Sequence, residues 1–374
     1  MTVRTAWAAI AAMFILNGAL FGVWASRVPA VMEQFGLTHA QLGLLLLAMA
    51  GGAVCSFPFA GKAVDSLGAA RVTRSVAVVY AFTLVLLPLA PGPVWLGGAL
   101  FLFGAAHGAM DVAMNSWGAE VERRFARRMM SSFHAMFSFG AGIGALSGYI
   151  AVQASLDLLS HFGFAAVLLA ALCLFFVRHP WESDITQSSD GSVFAFPSGP
   201  LLLVGAVAFC SSLGEGAMAD WSAVYLRDLV EANESTAALG YAAFSIAMVL
   251  VRLSGDMVTS RLGAVMAARL GGVCALAGLL CAIVVPTVPT VLAGFALLGV
   301  GYAVIMPLAF SRAANDPVVP PGQAISSVAT LGYGGMLLGP PVIGFIAGLA
   351  GLQTAFGLLA ILAVAIVALA ASLR

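Results

Sequence analysis

His107, Asp111 and Asn115 are spaced four residues apart, and on a helix that spacing puts an imidazole, a carboxyl and a carboxamide on one face. The stripe would span about 12 Å at 1.5 Å per residue. Its chemistry is proton uptake and hydrogen bonding. Asp111 takes up a proton, His107 tunes or relays it, and Asn115 bonds a polar ligand. The competing reading is a polar clamp between helices, each bond contributing about 0.6 kcal/mol. Glu215 is a second acid in apolar surroundings, held between Gly214 and Gly216. Glycines on both sides let a backbone or a ligand come close, so Glu215 is a second proton site or a ligand contact. Asn17, Trp221, Tyr302 and Tyr333 add polar handles within apolar runs. Tyr and Trp pair a flat apolar face with one polar atom, which suits a sugar ring. Trp24 and Trp221 also fit an aromatic belt at a membrane surface.

These groups matter because of what surrounds them. Of the 374 residues 61% are hydrophobic and only 9% charged, against about 25% charged in an ordinary soluble domain. So few charges cannot cover a water-soluble protein of this size, so the excess apolar surface faces lipid. A charge at the bilayer centre costs about 2.5–3.5 kcal/mol, and acids that stay there are functional candidates by default. Sixteen basic residues balance sixteen acidic ones, which leaves no basic excess for nucleic acid. The five cysteines lie in apolar stretches without metal-ligand or disulfide spacing. No GxxxxGK[ST] sequence is present to bind a nucleotide. No cofactor other than protons is expected, nor any nucleophile–base pair of an enzyme.

Twelve apolar runs are long enough to span a bilayer as helices: 6–30, 40–63, 72–90, 94–118, 130–152, 161–178, 200–224, 237–258, 264–285, 290–311, 324–349 and 353–372. The first is too long, and lacks the cleavage pattern, for a secretory signal. With the N-terminus in the cytoplasm, only Arg27 and Arg227 of the basic residues fall outside. This matches the positive-inside rule and places both termini in the cytoplasm of a multi-pass protein of the bacterial inner membrane. Arg123, Arg124, Arg127 and Arg128 then meet anionic lipid. The stretch 179–199 has the composition of a linker between six-helix bundles at 1–178 and 200–374.

The halves repeat at an offset of about 195 to 197 residues, an order of spacing that six-plus-six parallel repeats require. Gln41-Leu42-Gly43 matches Ala238-Leu239-Gly240, and Trp24 falls opposite Trp221. Gly140, Gly144 and Gly148 fall opposite the region of Gly335, Gly339 and Gly344. The loop after the second run reads Gly61-Lys62-Ala63-Val64-Asp65-Ser66-Leu67-Gly68-Ala69-Ala70-Arg71. In place and spacing it resembles the signature of the major facilitator superfamily, with Ser66 and Ala70 standing at two usually basic positions. The fourth run, Gly104 to Asn115, resembles the fucose–proton symporter branch. That branch has Glu where this chain has Asp111, and a helix-one acid where this chain offers Asn17.

The resemblance implies an all-α membrane fold of two six-helix bundles and a solute site at their interface near the midplane. It also implies inner-loop charges that latch one side. Asp65 caps the third helix or pairs with Arg71, and Arg252 pairs with Asp256 four residues on. Arg27 and Asp220 are the candidate outer gate. The expected protein is a monomeric secondary transporter that moves a small polar solute, a sugar first, by alternating access coupled to protons. The alternative is proton-driven export of drug-like or amphipathic compounds.

Overall fold

The apolar runs fold as helices, because lipid leaves every backbone amide to be satisfied within its own segment. A computed structural model describes residues 2–127, 129–183, 185, 197–319 and 321–374. The helices are α1 (Val3–Ser26), α2 (Val28–Phe35), α3 (His39–Leu67), α4 (Ala69–Leu86), α5 (Pro93–Phe125), α6 (Met130–Gln153) and α7 (Leu158–Phe176). They continue as α8 (Pro200–Asp228), α9 (Glu234–Leu262), α10 (Ala264–Val284), α11 (Val288–Tyr302), α12 (Ile305–Ala314), α13 (Pro321–Ala350) and α14 (Leu352–Leu369), before a closing turn of 3-10 helix. Among the described residues, 12 helical segments are long and apolar enough to cross a membrane. The expected linker 179–199 lies mostly outside the described residues, as do Arg128 and the side chain of Asp256.

Two expected helices are broken, each by a proline. The first run ends as α1 at Ser26 and resumes as α2 at Val28, because Pro29 has no N–H for the carbonyl four residues back. The tenth run divides into α11 and α12 around Ala303, four residues before Pro307, for the same reason. The fourth run extends the other way. Helix α5 continues past residue 118 to Phe125 and stops where Ala126 turns left-handed, at φ 48°. Glu120, Glu122, Arg123 and Arg124 end the hydropathy signal there without ending the helix.

The chain forms two compact units. One holds Met1–Leu37 and Leu45–Gly191, the other Thr38–Leu44 and Ser192–Arg374. Each has the same kind of core, a glycine-lined helix pair. In the first unit α1 packs on α6, and the places of a Cβ at Gly140 and Gly144 are filled by the carbonyl oxygens of Ile15 and Ala19. In the second, α8 packs on α13, and the places at Gly335 and Gly339 are filled by those of Phe209 and Leu213. Small residues at this spacing let helix backbones touch, which is how helices associate in lipid. The short stretch 38–44 belongs to the second unit through Gly43, whose backbone meets Gly344, and through His39, bonded to Asp228 at 2.7 Å.

The first unit also binds the start of the expected linker. Trp181 Nε1 donates to Glu120 at 3.0 Å, Arg124 lies 4.4 Å over the Trp181 ring, and Arg74 donates to the His179 carbonyl at 2.9 Å. Ser183 Oγ accepts from the Ala70 N–H at 3.0 Å. That bond corrects the expectation that Asp65 caps this helix. Asp65 lies within α3, and the N-cap of α4 is Gly68, with no side-chain cap of its own. An oxygen distant in sequence satisfies the exposed amide instead.

Candidate functional site

Each unit carries a polar cluster on its membrane-spanning helices. In the first unit, α5 presents His107, Asp111 and Asn115 on one face, all partly exposed. His107 Nδ1 is hydrogen-bonded to the Tyr80 hydroxyl of α4 at 3.0 Å. Its ring stacks on Phe21 of α1 at 5.0 Å, with Phe137 of α6 at 6.4 Å. Asn115 Nδ2 donates to Asp111 Oδ1 at 3.1 Å and to the Asp111 carbonyl at 2.8 Å. The stripe is therefore part imidazole in an aromatic box and part carboxyl–carboxamide pair. Tyr80 is wholly buried and 27 residues from His107, so no local pattern pointed to it. Asn17 of α1 is wholly buried, and neither amide atom has a partner among the described residues. It sits one helical turn from Phe21, four residues on.

In the second unit, Glu215 lies midway along α8 and pairs with Arg252 of α9 at 3.5 Å, the side chains 14% and 11% exposed. The pairing expected between Arg252 and Asp256 falls on a side chain outside the described residues, whereas a pair across helices such as this one is not visible along the chain. The two glycines beside Glu215 have different tasks. Gly214 leaves room for the ring and hydroxyl of Tyr302 from α11, while Gly216 admits the Met336 carbonyl of α13. The Glu215 carboxylate acts electrostatically on the hydroxyls of Tyr302 and Tyr241. Tyr302 Oη and Ser211 Oγ are buried without a partner among the described residues.

Trp24 and Trp221 are wholly buried, which corrects the aromatic-belt reading, because a belt residue must reach the headgroups. Trp221 Nε1 donates to the Pro340 carbonyl at 2.9 Å, so its polar handle is occupied within the second unit. Tyr333 of α13 is 39% exposed. Arg27, at the end of α1, donates to the Leu156 carbonyl at 3.4 Å within the first unit. Asp220 is buried on α8 in the second unit. Asp65 is partly exposed at the end of α3, and Arg71 is exposed on α4.

A profile of the Major Facilitator Superfamily matches residues 5–318. The chain is 48% identical to the uncharacterized transporter y4wD of Sinorhizobium fredii, over 99% of this chain and 98% of that protein. It is 35% identical to membrane protein MosC of Rhizobium meliloti, over 97% and 88%. Among solved structures, a mutant of the nucleoside transporter NupG superposes with a TM-score of 0.79 at 15% identity, covering 99% of this chain and 100% of that one. A variant of the E. coli fucose:proton symporter FucP superposes at 0.63 with 17% identity, covering 98% of each chain. At such identities the structural likeness concerns the fold alone.

Proposed function

We propose, from the premise that the chain belongs to the Major Facilitator Superfamily and is a membrane transporter, that it carries a small polar solute, a sugar first, together with protons. It works by alternating access, as a monomer in a bacterial inner membrane with both termini in the cytoplasm. The observation that carries this reading is the polar face of the first unit. Asp111 bonded to Asn115, the unpartnered Asn17 amide and the aromatic box around His107 all lie on spanning helices. Lipid-facing helices do not retain such groups, because each costs several kcal/mol without a partner. Amide groups beside flat rings fit a ring of hydroxyls, and a carboxyl beside them can hold a proton while the solute is bound. Asp111 is the main carrier and His107 holds the local geometry through Tyr80. Glu215 is a second proton site and Tyr302 a solute contact, both on helices of the second unit.

The test is uptake into proteoliposomes under an imposed proton gradient, with wild type beside Asp111→Asn. A panel of sugars, sugar acids and cationic drugs should give sugar-class uptake that a protonophore collapses. Asp111→Asn should lose concentrative uptake by about tenfold or more, an interaction change of about 1.4 kcal/mol, and keep solute exchange. Drug-evoked flux opposite in direction to the protons would replace this reading with export. Unchanged concentrative uptake in Asp111→Asn would remove Asp111 as the carrier.

A further inference from the structure

We propose that the first unit binds the phosphate of an anionic membrane lipid at the end where α1 begins, with Arg4 and Arg127 as its ligands and the Trp7 ring as its apolar wall. The bound lipid clamps the start of α1 to the turn between α5 and α6. This site lies apart from the polar face of α5 and does not depend on which solute is carried. A cavity of about 480 Å³ is present there, lined by Val3, Arg4, Trp7, Arg127 and Met129. Small-molecule sites span about 300–1,000 Å³, so the cavity has room for a phosphoglycerol headgroup.

The lining selects the ligand. Neither the Arg4 nor the Arg127 side chain makes a hydrogen bond or ion pair with another described residue. Arg124 is different, because it donates to the Glu182 carbonyl at 3.1 Å and covers the Trp181 ring. Glu122 is the nearest acid in sequence, but its carboxylate accepts from the N–H groups of Met129 and Met130, the latter at 2.8 Å. Two guanidiniums are thus left for an outside anion, and their forks match phosphate oxygens two at a time. The remaining lining is apolar. Trp7 Nε1 is bonded to Ser132 Oγ at 2.9 Å, so the half-buried indole offers its ring and not its N–H. Cations beside an indole, a valine and a methionine fit an amphiphile. The phosphate meets the guanidiniums, and the glycerol and first methylenes meet the apolar wall. A free phosphate would use half of this surface.

The position suits a lipid as well. Helix α1 begins at Val3 and α5 ends at Phe125, so the cavity lies at the ends of spanning segments, the level of lipid headgroups. Basic pockets between spanning helices on the cytoplasmic side are suited to anionic headgroups, and the positive-inside rule gives this arginine-rich end to that side. The clamp has a mechanical consequence. Helices α1 and α6 form the glycine-lined core pair of the unit. Beside the cavity Trp7 already ties them through Ser132, with its ring 6.4 Å from Phe133. A phosphate joining Arg4 to Arg127 brings the end of α5 into the same tie.

The experiment is native mass spectrometry of the full chain in detergent, titrated with phosphatidylglycerol, phosphatidylcholine or glycerol phosphate. Phosphatidylglycerol should bind more tightly than the zwitterionic lipid, and glycerol phosphate should not displace it. Each arginine contributes about fivefold in affinity, so Arg4→Gln combined with Arg127→Gln should weaken phosphatidylglycerol about 25-fold. Arg261→Gln combined with Arg269→Gln removes the same charge from exposed positions of the second unit and should leave the affinity unchanged. Arg4→Lys combined with Arg127→Lys should fall between wild type and the glutamine pair, because an ammonium keeps the charge without the fork. If the glutamine pair fails to fold, the lysine pair carries the test. Phosphatidylglycerol should also raise the unfolding temperature of wild type and not that of the glutamine pair. Equal weakening in the first-unit and second-unit pairs would reduce the effect to general surface charge and overturn the proposal. So would equal affinity for the two lipids. Displacement of the lipid by glycerol phosphate at equal concentration would give the site to a soluble phosphate instead.

Discussion

Asn17 is a buried amide whose polar atoms no described residue satisfies. Its amide is wholly buried, and neither its oxygen nor its nitrogen has a partner among the described residues. An unpaired buried polar group costs about 1–3 kcal/mol, so this residue lowers the stability of the unit that contains it. Asn17→Leu, close in volume and free of polar atoms, should therefore raise the thermal unfolding temperature. If the amide serves the solute, the same change should raise the apparent KM for uptake. Parallel measurement of melting and transport decides it: a variant that is less stable, or that transports unchanged, would make Asn17 a packing residue. Trp221 is the contrasting case. Its ring is as deeply buried, but its N–H is bonded to Pro340. Both residues are polar groups in an apolar run when seen in sequence. Only the presence or absence of a partner separates them, and partners come from other helices.

The helices repeat the same solution twice. Gly140 and Gly144 of α6 meet the carbonyls of Ile15 and Ala19 on α1. Gly335 and Gly339 of α13 meet those of Phe209 and Leu213 on α8. The glycine correspondence was legible from the chain, because both pairs keep a four-residue spacing. The partner carbonyls were not, because nothing in the spacing says which helix comes near. Any side chain at these sites must displace backbone, not a flexible side-chain end, so overpacking should cost about 1–3 kcal/mol or more. Gly144→Val and Gly339→Val should both lower the unfolding temperature, whereas Gly357→Val, where a Cβ meets nothing within 4 Å, should not. A Gly144→Val protein that melts like wild type would remove close backbone contact as the basis of this core.

At the scale of the whole molecule, each unit holds a loop carboxylate that ties stability to pH. In the first, Asp157 is held below the usual carboxylate range by the Ser160 N–H and hydroxyl, with Arg27 adding to the effect. In the second, the N–H groups of Val319 and Val318 do the same for Asp316, helped by Arg312. A carboxyl whose folded value is depressed stabilises the fold above its unfolded value, near about 4, and the contribution disappears as pH falls through the folded one. Unfolding temperature should thus respond to these groups below about pH 4 and not between about pH 5 and 7, and Asp157→Asn with Asp316→Asn should weaken that acid response. An unchanged acid limb in the double variant would place it elsewhere. The sequence by itself determined that the chain is helical, spans the membrane twelve times, repeats in two halves and carries Asp111 and Glu215 within apolar runs. Those properties follow from hydropathy, helical period and the cost of placing charge in lipid, all local to a segment. Only the tertiary structure decided that Arg252 faces Glu215, that Tyr80 holds His107, that Ser183 caps α4 and that Trp221 is buried. Each joins residues from separate segments, and their meeting depends on how helices pack, which spacing along one chain does not encode.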